Sequence, residues 1–109
     1  MTLAEIKNSF GGLDVFEQRA DTEDYKEIVF FAKDLDKWNN VLSKFFGSAV
    51  KPPKAKPEKD HIELARNFGG VRENQVLFKK DLPGQKLIAL LWPWSDGERI
   101  TLKLAKIEA

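Results

Sequence analysis

The sequence contains no cysteine, and this absence removes several kinds of chemistry together. Disulfide bonds, thiolate metal sites, iron–sulfur clusters and cysteine nucleophiles all depend on that residue. The chain also has a single histidine, so one copy cannot build a metal site that needs two histidine ligands. We therefore expect no metal and no cofactor, and the sequence leads us to assign no catalytic residue.

Long apolar runs and an excess of one charge are also missing. The longest apolar run has six residues, whereas a membrane-spanning helix needs about 20. The first residues show neither the basic stretch nor the apolar stretch of a secretory signal. Lys and Arg total 18 against 17 acidic residues, a balance that is not typical of nucleic-acid or membrane-surface proteins. We expect a soluble cytoplasmic protein that contacts no membrane and has little affinity for nucleic acid.

The composition that remains is that of one globular domain spanning residues 1–109, with 42% hydrophobic and 32% charged side chains. The clearest single element is an amphipathic helix that ends at Phe46. Its apolar residues recur every three or four positions, and Gly47 follows where a helix-terminating glycine is common. Asp34 or Asp36 is expected to cap its first turn.

The rest of the pattern predicts an α+β fold: an antiparallel sheet of about five strands, with two or three helices packed mainly on one face. Further helices are expected at 2–10 and 61–68, the second capped by Asp60. Strands are expected at 13–19, 25–33, 75–80, 86–94 and 98–106. The continuous apolar runs in 25–33 and 86–94 favour central positions, whereas the alternation in 98–106 favours a place nearer an edge.

Residues 48–59 interrupt the pattern of helices and strands. This segment contains three prolines and little that could be buried, so it predicts a solvated, extended loop. Its lysines could contact phosphates or an acidic protein surface, or they could simply keep a connector soluble. The candidate binding residues of this loop are Lys51, Lys54, Lys56 and Lys59.

The second candidate binding site is the segment Trp92-Pro93-Trp94. Strand alternation would place both indoles on one face, and Pro93 cannot donate a hydrogen bond to a neighbouring strand. The strand must therefore lie at an edge, be bulged or end there. Two indoles at such a place could anchor a partner, or they could belong to the core.

Three functional hypotheses follow from these features. The first is a non-enzymatic binding or protein-interaction domain whose partner is another protein or a second copy, as a homodimer formed by edge-strand pairing or helix packing. The second is a metal-free enzyme that binds a small ligand and uses carboxylates or His61 in an apolar cleft. The third is a weak nucleic-acid binder that uses the basic loop at 51–59.

Overall fold

A computed structural model describes residues 2–108 and shows an α+β fold, with three α-helices and one five-stranded antiparallel sheet in this range. The helices are α1 (Leu3–Asn8), α2 (Leu35–Phe46) and α3 (Lys59–Ala65), and single turns of 3₁₀ helix occupy Ala32–Asp34 and Arg66–Phe68. The strands are β1 (Glu17–Asp21), β2 (Tyr25–Phe31), β3 (Val76–Leu82), β4 (Gln85–Pro93) and β5 (Arg99–Glu108).

The order of strands across the sheet is β1-β2-β5-β4-β3, and each strand is antiparallel to its neighbours. The last strand of the chain therefore lies in the centre, between two hairpins. This corrects the expectation that 98–106 lies nearer an edge. Its alternating pattern arose because one face of β5 is packed against helices whereas part of its other face is covered only by neighbouring side chains.

The first face of the sheet holds the main core. Helix α2 buries Trp38, Leu42 and Phe46, which recur every four residues and so lie on one side of the helix. They pack together with α1 against side chains from β2, β3, β4 and β5. Asp34 occupies the N-cap position of α2, but its side chain makes no hydrogen bond to the first turn, so the expected side-chain cap is absent at this residue.

The second face carries a smaller core, which α3 and the segment after it place over β3, β4, the end of β5 and Tyr25 of β2. This helix begins two residues before the predicted start, because Glu58, and not Asp60, occupies its N-cap position. The backbone N–H of Glu58 donates to Nδ1 of His61 at 3.0 Å. The only histidine therefore helps to fix the start of a helix.

The first strand differs from its predicted position. Residues 13–19 were expected to be extended, but β1 starts at Glu17 and continues to Asp21. Leu13 instead packs against the main core, while Val15 and Phe16 are left exposed at the end of the strand. A bulge between Gln18 and Ala20 interrupts the pairing with β2, and such a bulge disturbs the simple alternation on which the prediction depended.

Candidate functional site

Half of the second sheet face has no helix over it within residues 2–108. Helix α3 and its core cover β3, β4, the end of β5 and Tyr25 at the start of β2, so β1, the rest of β2 and the start of β5 remain without a covering layer. We call this surface the open sheet face. Its principal side chains are Phe16, Glu17, Arg19, Glu27, Phe31, Trp92, Trp94, Arg99 and Lys103.

The register between β2 and β5 determines how these side chains are arranged. Phe31 pairs with Arg99, Val29 pairs with Thr101, and Glu27 pairs with Lys103. Since alternate residues of a strand point to the same side, these three pairs form successive rows on the face opposite the main core. A cation on β5 therefore stands beside an aromatic ring in one row and beside a carboxylate in another.

The Arg99 guanidinium lies between two aromatic rings. Its Cζ atom is 5.1 Å from the centre of the Phe16 ring and 4.6 Å from that of the Trp94 ring. Phe16 also contacts the ring of Phe31 edge-on, with centroids 5.4 Å apart. Stacking of this kind attracts the cation to the ring and restricts its rotation. Phe16 is nevertheless 45% exposed, so the stack is presented to solvent.

Asp96 in the β4–β5 turn holds the same guanidinium from the side. Its Oδ2 atom accepts hydrogen bonds from Arg99, with an Nε–Oδ2 distance of 2.9 Å, and its Oδ1 atom accepts from the backbone N–H of Glu98 at 2.8 Å. The hydrogen bond from Glu98, followed by that from the Arg99 side chain, lowers the pKa of Asp96 below its ordinary value. The turn, the carboxylate and the guanidinium thus form one ordered unit.

Trp94 lies across the sheet at the end of β4. Its indole N–H donates to the Thr101 hydroxyl at 2.8 Å, and the Cζ atom of Arg19 lies 5.3 Å from its ring centre. Arg19 is in turn paired with Glu17 through Nε at 3.0 Å. The contacts of these large side chains with one another and with Thr101 explain why Val29 and Thr101 are 0% and 4% exposed although no helix within residues 2–108 covers them.

Trp92 has different surroundings from Trp94, although both indoles are on the same side of the sheet, as alternation predicted. It packs against the smaller core beside α3. Lys103 Nζ lies 3.4 Å from its ring centre and donates to the Phe68 carbonyl at 2.8 Å. Burial lowers the pKa of Lys103, and the nearby Glu27 carboxylate opposes this shift.

Gly69 allows this close packing of Trp92. Its φ angle is +94°, a left-handed conformation that side-chain-bearing residues rarely adopt. A Cβ atom added there would stand 2.3 Å from Cη2 of Trp92. The glycine doublet therefore does more than end a helix, because its first member makes room for an indole.

Glu27 links the charged groups of the open sheet face. One carboxylate oxygen accepts from the Tyr25 hydroxyl at 2.6 Å, and the other lies 3.7 Å from Nη1 of Arg19. Its partner across the strands is Lys103. Burial, followed by the hydrogen bond to Glu27, raises the pKa of Tyr25 above its ordinary value.

A shallow cleft of about 380 Å³ extends the open sheet face beyond the end of β2. Its walls are Phe31, Ala32, Lys33, Gly97 and Glu98. The acidic and basic side chains in these walls do not converge on a hydrogen-bonded pair, and His61 lies elsewhere, at the start of α3. The cleft therefore offers an apolar edge to a bound molecule, with Lys33 and Glu98 as its charged side chains.

The first of the loop lysines, Lys51, pairs with Leu77 on β3, the strand at the edge of the sheet opposite β1. Lys51 also departs from the expected solvated loop, since it is fully buried. Its ammonium donates to the carbonyl oxygens of Pro52 at 3.2 Å and Glu73 at 2.9 Å, and also to that of Gln75. Burial lowers its pKa, with Glu73 acting in the opposite sense. The side chains that remain exposed to a partner are Lys54, Lys56 and Lys59.

Sequence reasoning found the two tryptophans of this surface but not the groups around them. Phe16 and Arg19 come from β1 and the residue before it, Arg99 comes from β5, and only the strand order brings these two segments together. The sequence of β5 contained a usable signal for this surface, because its alternate positions on the face opposite the main core hold the polar residues Arg99, Thr101 and Lys103. Of these, Arg99 and Lys103 lie over aromatic rings, and Thr101 accepts a hydrogen bond from the Trp94 indole.

Searches for related proteins found no match, so any functional assignment depends on the geometry of the open sheet face. No protein-family model, no curated protein and no solved structure matches this chain. Within residues 2–108, no cluster of three or more acidic or histidine side chains could hold a metal ion. In the same part of the chain, every helix is too short or too polar to cross a membrane.

Proposed function

We propose that this protein is a non-enzymatic protein-interaction domain that binds its partner through the open sheet face. The observation that carries the proposal is the Arg99 guanidinium, held between Phe16 and Trp94 on a part of the sheet that no helix of the described residues 2–108 covers. Aromatic residues and arginine are enriched in protein interfaces and supply much of their binding energy. Here both residue types are concentrated in one exposed stack.

The ordered state of these side chains supports the proposal. Arg99 is fixed by two rings and by Asp96, and the Trp94 indole is fixed by Thr101. Immobilising a flexible side chain on binding costs about 0.5–1.5 kcal/mol, and this cost is smaller for a side chain that is already held. A surface prepared in this way can bind a folded partner with little rearrangement.

Charge balance favours a protein partner over a nucleic acid. Arg19, Arg99 and Lys103 of the open sheet face each have a carboxylate or carbonyl partner within the chain, and Lys33 beside this face lies over the Phe31 ring. Single-stranded nucleic acid needs unpaired cations for its phosphates and free ring faces for its bases. Here cations already lie over the rings of Phe16, Trp92 and Trp94. We therefore infer a partner surface with an apolar centre and mixed charges.

Site-specific crosslinking in cells that natively make the protein tests this proposal. A photo-crosslinking amino acid replaces Phe16 in one variant and Ile62 in a matched variant, because Ile62 is also exposed but lies on α3. We expect a discrete protein adduct from position 16 that is absent from position 62. Adding Trp94→Ala should abolish this adduct while leaving the far-ultraviolet circular dichroism spectrum unchanged.

Three results would count against the proposal. Position 16 could give no adduct above that of position 62, the adduct could persist in the Trp94→Ala background, or the captured molecule could be a nucleic acid. Each result would mean that the Arg99 stack serves the fold or another ligand class.

A further inference from the structure

A groove opens on the first face of the sheet, between α2 and the edge strand β3. Its volume is about 320 Å³, at the small end of the roughly 300–1,000 Å³ range of ligand pockets. It lies on the side of the main core, so the sheet separates it from the open sheet face. The residues that line it come from α2, the following loop, β3 and β4: Leu35, Asn39, Ser43, Ser48, Ala49, Pro53, Val76, Phe78 and Leu91.

The floor of this groove is apolar and belongs to the main core. Phe78 and Leu91 are 3% and 1% exposed, and Leu91 pairs across the strands with Val76. Leu35 and Ala49 are half-buried at the sides of the groove. A molecule that covers these side chains removes apolar surface from water, and this removal favours binding.

The polar groups around the groove are uncharged. Leu35, Asn39 and Ser43 recur every four residues, so they lie on one side of α2, and Ser48 adds a second hydroxyl from the loop. Charged residues make up 32% of the chain, yet none of the nine residues that line the groove within residues 2–108 is charged. A charged ligand would lose hydration here without gaining an ion pair, whereas an uncharged donor or acceptor can bond to the amide and the hydroxyls.

The loop that forms one wall of the groove is held in place. The backbone N–H of Val50 donates to the Leu77 carbonyl at 2.9 Å, and the N–H of Leu77 donates to the Lys51 carbonyl at 3.1 Å. The buried Lys51 ammonium fixes the same segment through the carbonyls of Glu73 and Gln75. The groove is therefore formed before a ligand arrives, so binding requires little ordering of the chain.

We infer that this groove binds a small uncharged molecule that has an apolar body and one or two hydrogen-bonding groups, such as an alcohol or an amide. The apolar body lies on Phe78 and Leu91, and the hydrogen-bonding group faces Asn39 and Ser43. The inference goes beyond the proposed function and does not depend on it, because the groove and the open sheet face lie on opposite sides of the sheet.

Two-dimensional ¹H–¹⁵N NMR spectra of the full chain, recorded with three probes of similar shape, test the inference. The probes are cyclohexanol, cyclohexanecarboxylate and cyclohexylammonium. We expect saturable shifts with cyclohexanol at the amides of α2, residues 48–53 and β3, with a dissociation constant on the order of 1 mM because so small a probe makes few contacts. The two charged probes should bind at least about tenfold more weakly, because neither meets an opposite charge in the groove.

A pair of variants on α2 tests the location of the site. Ser43→Phe places a ring in the groove and should abolish saturable binding of cyclohexanol. Asn40→Phe is the matched control, since Asn40 is exposed on the same helix and does not line the groove, and it should leave binding unchanged.

Four results would overturn the inference. Cyclohexanol could fail to saturate the wild-type protein, the three probes could bind it equally, its shifts could centre outside the groove, or binding could survive Ser43→Phe. The first three need no variant, so they decide the matter even if Ser43→Phe does not fold. The proposed function is tested separately, because crosslinking at position 16 reports on the opposite side of the sheet.

Discussion

Replacing Gly69 with alanine should destabilise the fold far more than the same change at Gly70. Both glycines have positive φ angles, +94° and +88°. An added Cβ atom at Gly70 meets nothing within 4 Å, whereas at Gly69 it would stand 2.3 Å from Cη2 and 3.0 Å from Cζ2 of Trp92. The two substitutions therefore share a backbone cost and differ in the steric clash.

The magnitudes follow from these two contributions. A left-handed conformation costs a residue with a Cβ atom about 1–2 kcal/mol, and we expect this loss in the free energy of unfolding for Gly70→Ala. Moving an indole out of a packed position costs a further ~1–3 kcal/mol. Gly69→Ala should therefore lose about 2–5 kcal/mol in total. The displaced ring would also disturb Lys103, whose ammonium lies 3.4 Å from its centre.

Urea denaturation followed by tryptophan fluorescence measures both changes. The gap between the two unfolding free energies reports the packing of Trp92 against Gly69, since the backbone contribution cancels. Equal losses for the two variants would refute the reasoning. They would mean that Trp92 has room to move and is not held where the smaller core meets the open sheet face.

Two further predictions concern buried and charged groups. Lys51→Met should lower the free energy of unfolding by about 2–4 kcal/mol, because the carbonyls of Glu73 and Gln75 lose their donor. The control Lys56→Met, at an exposed position, should change this free energy little. Equal urea midpoints for the two variants would contradict this account. The pKa of Asp96 in the folded protein lies below the 3.8 expected in the unfolded chain. The ionised carboxylate therefore stabilises the fold fully above pH 3.8, and this stabilisation is lost as the pH falls through the lowered pKa of the folded state. Acid titrations of unfolding should therefore show Asp96→Asn less stable than wild type at pH 6 and converging with it in strong acid, whereas a constant difference at all pH values would contradict the assignment.

The sequence predicted best those elements whose pattern is local. The end of helix α2 at Phe46 was predicted correctly, because Trp38, Leu42 and Phe46 repeat with the helical period over about two turns. Strands β2 and β4 were recognised from continuous apolar runs, and both lie inside the sheet, with neighbours on each side. Such signals depend on residues close together in the chain, so no knowledge of tertiary structure is needed.

The elements that were misplaced depend on contacts between distant segments. The central position of β5 follows from the order of the two hairpins around it, which alternation within one strand does not report. Lys51 is read from sequence as a solvated lysine, and its burial follows only from the carbonyls that Glu73 and Gln75 bring to it. The Arg99 stack was missed for the same reason, since Phe16 is 83 residues away in the chain.

The central claim is that the open sheet face is covered by a protein partner when the protein functions. Hydroxyl-radical labelling of aromatic and aliphatic side chains, compared between dilute purified protein and intact cells, tests this whatever the partner is. We predict that Phe16 and Trp94 are labelled in the dilute protein and protected in cells, while exposed Ile62 is labelled equally in both. Equal labelling of Trp94 in the two samples would contradict the account.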